Sequence, residues 1–135
     1  MHWRRLLCLS ALVVFFSGCW GNREAKGVVS EFLGALRAGR ADAAYKLTSP
    51  KWRAHRYNSL ARFKTSLAQV RALTASSGER WDRSDCDKLG CRFFGNYEPE
   101  GGELEIELAK YPEGYRVKLL KAQDTARKLH IIVNE

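Results

Sequence analysis

The most reactive side chains in this sequence are its cysteines, and two of them have a spacing that suggests a definite chemistry. Cys86 and Cys91 flank a four-residue segment, residues 87–90, between two stretches with strand-like composition. Opposed residues on paired strands lie about 4.5–5.5 Å apart, which a disulfide can bridge. A metal site would need two further ligands, and the hard oxygens of Asp85 and Asp87 match thiolates poorly. A redox-active pair usually has the closer Cys-x-x-Cys spacing. We therefore predict a Cys86–Cys91 disulfide.

The N-terminus has the features of a secretory signal. Two adjacent arginines precede an apolar run over residues 6–16, and small residues and a cysteine follow it. The run is about half as long as a membrane-spanning helix requires. Residues 16–19, Phe-Ser-Gly-Cys, resemble the bacterial lipobox, with phenylalanine where leucine is usual. The resemblance implies that residues 1–18 are a lipoprotein signal peptide and that Cys19 carries a diacylglycerol and a fatty acid such as palmitate. The alternative is an ordinary secretory signal with an incidental cysteine.

A lipid on Cys19 would place the protein in the bacterial cell envelope. In enteric bacteria an aspartate after the cysteine retains a lipoprotein at the inner membrane, so by resemblance Trp20 permits sorting to the periplasmic face of the outer membrane. Residues 19–23 would form the lipidated N-terminus and a tether of at most roughly 14 Å. The net charge of the whole chain is +8. Because export makes nucleic acid a poor partner, we predict anionic lipid headgroups or another envelope protein instead.

Helical spacing of apolar residues marks the first half of the remaining chain. One helix is predicted over residues 24–38 and a second over residues 41–47. The Ser-Pro pair at residues 49–50 is typical of an N-cap followed by a first-turn proline. Asn58 or Ser59 can cap another helix. The predicted buried stripe of that helix is Leu60, Phe63, Leu67 and Val70.

Strand-like alternation marks the second half. The predicted strands cover residues 80–86, 91–98, 103–110 and 115–122. Turn chemistry at residues 111–114 fixes the register of the last two strands. The predicted cross-strand pairs are Leu108 with Val117, Ile106 with Leu119, and Glu107 with Lys118. Residues 124–135 are ambiguous, because Leu129, Ile131 and Val133 alternate as in a strand but residues 126–129 could form a helical turn.

Helices followed by an antiparallel meander indicate an α+β fold. The helical half resembles the NTF2-like group and its small lipoproteins of unknown function. The residues that carry this resemblance are Val28-Val29-Ser30-Glu31-Phe32-Leu33, Leu36, Gly39 to Leu47 with Ala44-Tyr45, Ser49-Pro50 and Leu60-Ala61-Arg62-Phe63. The resemblance implies that residues 24–135 form a curved sheet wrapped on helices, with a cavity at the wide end. It also implies that the protein can form a homodimer.

An NTF2-like enzyme would need an ionisable side chain inside this cone. The predicted inner face of the strands carries only Tyr115, while Tyr45 and Trp52 are candidates for the lining of a pocket mouth. Core packing is the alternative for both. His55 is predicted to be exposed, His130 lies near the end of the chain, and the two are not spaced as a metal pair. We therefore expect no catalytic residue, no cofactor and no metal; the alternative is an enzyme that acts on a small apolar substrate in the cone.

Basic side chains make the middle third of the chain positive. The candidates for binding an anionic surface are Lys51, Arg53, Arg56, Arg62 and Lys64. Each such charge can add about 1 kcal/mol near anionic lipid. A solvated helical face is the alternative. Together these features predict a membrane-anchored, non-catalytic binding or assembly module. A second alternative is an immunity- or inhibitor-type lipoprotein that sequesters a partner protein.

Overall fold

A computed structural model describes residues 22–135, so the predicted signal peptide and Cys19 lie outside the described residues. The fold is α+β, as predicted, with helices followed by an open antiparallel sheet. The helices are α1 (residues 22–37), α2 (Ala41–Lys46), α3 (Pro50–Ala54), α4 (Leu60–Ala68) and α5 (Arg71–Thr74). The strands are β1 (Gly78–Cys86), β2 (Gly90–Glu98), β3 (Gly102–Tyr111), β4 (Gly114–Gln123) and β5 (Leu129–Asn134). Within residues 22–135, no helix combines the length and apolar character needed to cross a membrane.

Helix α1 buries one stripe of its surface, and a glycine ends it. The buried residues are Ala25, Val29, Phe32, Leu33, Ala35 and Leu36. Their spacing of three, four or seven residues places most of them on one side of the helix. Gly39 follows with a φ of +72°, which favours glycine because it has no Cβ. The Arg40 N–H then donates to the Ala35 carbonyl at 2.8 Å, which closes a Schellman motif.

Side-chain caps start α3 and α4 where the sequence predicts them. Ser49 Oγ accepts a hydrogen bond from the Trp52 N–H at 3.3 Å, and Pro50 is the first residue of α3. Ser59 Oγ accepts from the Arg62 N–H, also at 3.3 Å. Helix α4 ends earlier than its apolar stripe indicates. Val70 is buried but lies between α4 and α5, a four-residue helix that the sequence pattern did not predict.

The five strands pair in sequence order, and their register confirms part of the prediction. Leu108 faces Val117, as predicted. The prediction that Ile106 faces Leu119 is wrong, because a bulge in β4 shifts the pairing and Ile106 faces Leu120. Lys118 is the extra residue at this bulge, and its Nζ lies 3.1 Å from Glu107 Oε1. Glu107 therefore pairs with Leu119 and not, as predicted, with Lys118, although the predicted contact between acid and base still forms.

A second irregularity shapes β5. Residues 124–128 form a turn and residues 129–134 a strand, which resolves the ambiguity of this segment. Leu120 pairs with Val133 and Lys121 pairs with Ile131, so Ile132 is the extra residue. Ile132 and Val133 are both buried, whereas Ile131 is 51 % exposed. One apolar side chain of β5 is therefore presented at the surface beside the helices.

The space between the helices and the sheet is filled with large side chains. Phe32, Phe63, Phe93 and Tyr97 are each at most 1 % exposed. At one end of β1 and β2 the predicted Cys86–Cys91 disulfide is confirmed, with 4.1 Å between the two Cα atoms. Closing so short a loop stabilises the fold by about 2 kcal/mol in the chain-entropy model.

Candidate functional site

The five predicted anion-binding residues do not lie on one face. On α3, the Nζ of Lys51 lies 3.5 Å from Glu135 Oε1, and Arg53 Nε donates to the Thr48 carbonyl at 3.2 Å. Lys64 borders a shallow groove with Leu36 and Gly39 at the C-terminal end of α1. The other two, Arg56 and Arg62, converge on one tyrosine.

Tyr57 lies between two guanidinium groups in the loop that joins α3 to α4. The guanidinium carbon of Arg56 is 4.5 Å from the centroid of the Tyr57 ring, and that of Arg62 is 5.4 Å from it. Arg56 also donates to the Tyr57 hydroxyl. The His55 ring lies on the same tyrosine, with 5.3 Å between the centroids. In residues 22–135 neither arginine forms a salt bridge, so both charges remain available.

Hydrogen bonds from the predicted pocket residues hold this loop in place. Asn58 Nδ2 donates to the Trp52 carbonyl at 2.8 Å, and the Tyr45 hydroxyl donates to the Asn58 carbonyl at 2.6 Å. The rings of Tyr45 and Trp52 also pack against Phe63. Tyr115, the third predicted pocket residue, is 3 % exposed on β4. Tyr45 and Trp52 therefore support the loop that carries Tyr57, and Tyr115 lies in the core.

A groove of about 250 Å³ opens between this loop, α4 and β5. We call it the basic–aromatic groove. Its lining is Trp52, Tyr57, Asn58, Arg62, Phe63, Ser66, Ile131, Ile132 and Asn134. Arg62 and Tyr57 form one wall and the half-exposed Ile131 contributes an apolar patch. The groove thus combines a cation, an aromatic ring and an aliphatic side chain.

A wider depression lies on the outer face of the sheet, with a volume of about 460 Å³. Glu103 and Glu105 of β3 border it, together with Asp82 and Lys121. Acidic groups dominate this lining. The depression is therefore a poor match for the anionic partner that the sequence predicts.

Charge is unevenly divided along the described chain. Residues 22–77, which form the helices, contain 11 lysines and arginines and 3 acidic residues. Residues 78–135, which form the sheet, contain 10 basic and 12 acidic residues. The excess positive charge of the described protein therefore lies in its helical half, the half that carries Arg56 and Arg62.

Glu135 forms a polar cluster that the sequence analysis missed. Its Oε2 accepts hydrogen bonds from the hydroxyls of Ser49 and Tyr111, and Lys51 lies beside Oε1. Burial raises the pKa of the Glu135 carboxyl, but the two hydroxyls and Lys51 outweigh it, so the pKa lies below its ordinary value. The members come from α3, β3 and the end of β5, so no local pattern could have indicated the cluster.

This cluster makes part of the stability depend on pH. Because the folded-state pKa of Glu135 is lowered, its contribution is fully present above the unfolded-state pKa of about 4.3 and is lost as the pH falls through the lower folded value. Glu135→Gln should flatten the acid limb of a plot of unfolding free energy against pH. Urea titrations from neutral pH to about pH 3 measure it, with Glu113→Gln, an exposed turn residue, as the control. An unchanged acid limb in Glu135→Gln would contradict this.

Two further side chains with shifted pKa values, Tyr97 and Asp124, form hydrogen bonds within the fold. Tyr97 is fully buried and donates to the Gln123 carbonyl, and burial raises the pKa of its hydroxyl. Asp124 caps the turn before β5. The backbone N–H of Lys128 and the His130 ring, 3.1 Å away, lower the pKa of its carboxyl. No cluster of three or more candidate metal ligands occurs in residues 22–135.

The chain matches no known protein-family model, no curated protein and no solved structure. The function is therefore inferred from three features of the chain itself, which are the basic–aromatic groove, the uneven distribution of charge and the N-terminal residues.

Proposed function

We propose that this protein is a lipid-anchored component of the bacterial cell envelope that acts as a non-catalytic binding module. Cys19 carries the lipid, residues 1–18 are removed, and the domain lies on the periplasmic face of the outer membrane. Its fold is an NTF2-like cone, which the order of helices and antiparallel strands supports. Its basic–aromatic groove binds phosphate or carboxylate groups of an anionic lipid headgroup or of an envelope protein.

The observation that carries this proposal is the concentration of free positive charge at the groove. The helical half holds the surplus of basic over acidic residues. Of that surplus, Arg56 and Arg62 are held within 5.4 Å of a single ring and form no salt bridge in the described chain. Guanidinium groups bind phosphate and carboxylate in a planar, two-point geometry. A tyrosine that fixes two of them reduces the entropy lost when they bind.

The packed interior also supports binding at the surface. The largest fully buried side chains include Phe32, Phe63 and Phe93. These rings fill the space between the helices and the sheet in the described residues. The groove, in contrast, is open to solvent along Tyr57 and Ile131, which are both about half exposed.

Loss of Arg62, which lines the groove, and of Arg56, which contacts the groove residue Tyr57, should weaken capture of the partner. A photo-reactive residue at Ser66, which lines the groove, would crosslink the bound species in intact cells. Each cation contributes about 1 kcal/mol near an anionic surface, so Arg56→Gln with Arg62→Gln should reduce crosslinking at limiting partner by roughly thirtyfold. Mass spectrometry of the adduct distinguishes a phosphate-bearing lipid from an acidic protein.

The matched control removes the same charge elsewhere. Arg40 and Arg71 are exposed arginines in the helical half, outside the groove. Arg40→Gln with Arg71→Gln should leave the adduct nearly unchanged. Equal losses in both double variants would show a general charge effect, and adducts formed only with uncharged species would contradict the proposal.

A further inference from the structure

We infer that one end of the sheet rests on the bilayer surface, with Leu89 as its apolar contact. This end, here called the disulfide end, consists of the 87–90 loop and the turn between Tyr111 and Gly114. The inference deepens the proposed function, since it assumes the lipid on Cys19. It adds an orientation and a second contact with the membrane.

The register of the sheet brings these two turns together. Gly90 pairs with Ala109, and Tyr111 pairs with Gly114, so the β1–β2 and β3–β4 connections lie at the same edge. The Lys110 N–H donates to the Leu89 carbonyl at 2.8 Å, which joins the turns directly.

The first turn of α1 lies at the same edge. Glu24 Oε1 is 3.9 Å from the position that a Cβ on Gly114 would take. At its other end, α1 contacts the start of β1, where Arg37 binds Ser76 and forms an ion pair with Glu79. The helix covers 16 residues and is about 24 Å long. It therefore runs from the disulfide end to the opposite end of the sheet.

The short chain between Cys19 and this helix decides which end meets the membrane. Two residues separate Cys19 from Asn22, so their Cα atoms cannot be more than about 11 Å apart. That reach is less than half the length of α1. A lipid on Cys19 therefore keeps the start of α1, and with it the disulfide end, close to the headgroups, whereas the turn that contains Gly101 lies at the opposite end of the sheet, farther from the attachment point.

Leu89 is the exposed apolar side chain at this end, and its loop is rigid. It is 78 % exposed. Asp87 Oδ1 accepts the N–H groups of both Leu89 and Gly90, at 2.8 and 3.1 Å, and the Cys86–Cys91 disulfide closes the loop beneath them. An isolated exposed leucine needs no explanation on most surfaces. Here it is held outward, without freedom to fold back, beside the predicted attachment point of the lipid.

The charges around Leu89 are close to balanced. The basic residues at this end are Arg23, Lys88, Lys110 and Arg116, and the acidic ones are Glu24, Asp85, Asp87 and Glu113; the Lys51–Glu135 ion pair beside Tyr111 adds one charge of each sign. Asp87 is occupied by the loop amides, and Asp85 lies 3.4 Å from Arg83. Attraction between charges therefore does not drive this contact. Transfer of the leucine side chain from water into the membrane interface, together with the lipid anchor, favours the orientation in which the disulfide end faces the bilayer.

The test uses the acylated protein, extracted from membranes, isotopically labelled and reconstituted into bilayers of phosphatidylethanolamine and phosphatidylglycerol. A lipid with a nitroxide on its headgroup broadens the resonances of nearby amides. We expect strong broadening of residues 88–90 and 113–114 and little at residues 38–40 and 100–102. Broadening that is equal at both ends, or strongest at residues 100–102, would overturn the inference.

A pair of matched variants isolates the role of the side chain. Leu89→Glu should reduce the broadening at residues 88–90 roughly tenfold, which corresponds to the lower limit for burying a leucine side chain. Leu129→Glu changes another exposed leucine, 54 % exposed, at the opposite end of the sheet and should have no effect. Equal spectra for Leu89→Glu and the unmodified sequence would refute the leucine contact. A mass without acyl chains would instead refute the proposed anchor, so the two failures are distinguishable.

Discussion

Replacement of Phe63 by alanine should destabilise the fold by about 3–5 kcal/mol, a large part of the total stability of a domain of this size. Phe63 is 1 % exposed, and its ring centroid lies 6.4 Å from that of Phe32, 5.7 Å from that of Tyr45 and 6.0 Å from that of Trp52. The substitution removes a ring from the centre of this cluster and leaves a cavity, because the three remaining aromatic side chains, on three different helices, cannot all move inward to fill it.

The same substitution should also disturb the basic–aromatic groove. Tyr45 and Trp52 hold Asn58 by hydrogen bonds, and Asn58 follows Tyr57 directly. Loss of the Phe63 ring removes a packing partner of both Tyr45 and Trp52. We therefore expect the loop that carries Tyr57 to exchange its amide protons faster, in addition to the loss of global stability.

Urea denaturation followed by circular dichroism measures the effect on stability. The matched control is Phe94→Ala, which removes the same ring from the half-buried outer face of the sheet, where it stacks 4.3 Å from Arg83. The control should cost about 1 kcal/mol. Equal costs at the two positions would show that the aromatic cluster is not the centre of the core.

Cys19→Ala should abolish lipidation and remove the protein from the outer-membrane fraction. The thiol is the only proposed attachment point of the lipid, and alanine cannot form a thioether. The groove cannot replace the anchor, since two exposed cations add only about 1 kcal/mol each at an anionic surface, whereas two or three acyl chains give stable attachment. The Cys86–Cys91 bond should form as before, because the pairing of β1 with β2 brings these two residues opposite each other.

Metabolic labelling with a palmitate analogue, followed by membrane fractionation, measures this result. Cys8→Ala is the matched control, because Cys8 belongs to the predicted signal peptide. It should leave the label and the fractionation unchanged. Undiminished labelling of Cys19→Ala would contradict the lipoprotein assignment.

Features that depend on neighbouring residues could be predicted from the sequence. The apolar stripe of α1, the caps at Ser49 and Ser59 and the α+β order each follow from local spacing. The disulfide could also be predicted, because a short connection between two paired strands brings Cys86 and Cys91 together regardless of how the other strands pair.

Features that depend on irregular backbone or on distant contacts could not be predicted. Alternation along β4 indicated that Leu119 faces Ile106, but one extra residue, Lys118, shifts the pairing to Leu120. A strict two-residue alternation cannot reveal a bulge, because a bulge inserts one unpaired residue into the strand.

The candidate site could not be predicted from the sequence either, because it also depends on distant contacts. Helical spacing indicated that the basic residues are exposed, but it could not show that Arg56 and Arg62 share Tyr57 while Lys64 lies beside Gly39. The groove also needs Ile131 of β5, about seventy residues further along the chain. Its existence depends on how the helices dock on the sheet, which only the structure describes.

The intact mass of the protein extracted from bacterial membranes shows whether the lipid anchor is present. We expect a chain that begins at Cys19 and carries a diacylglycerol, with or without a further amide-linked acyl chain. A chain that still contains residues 1–18, or one that begins elsewhere and carries no lipid, would contradict the anchor, and with it the orientation that places Leu89 on the bilayer.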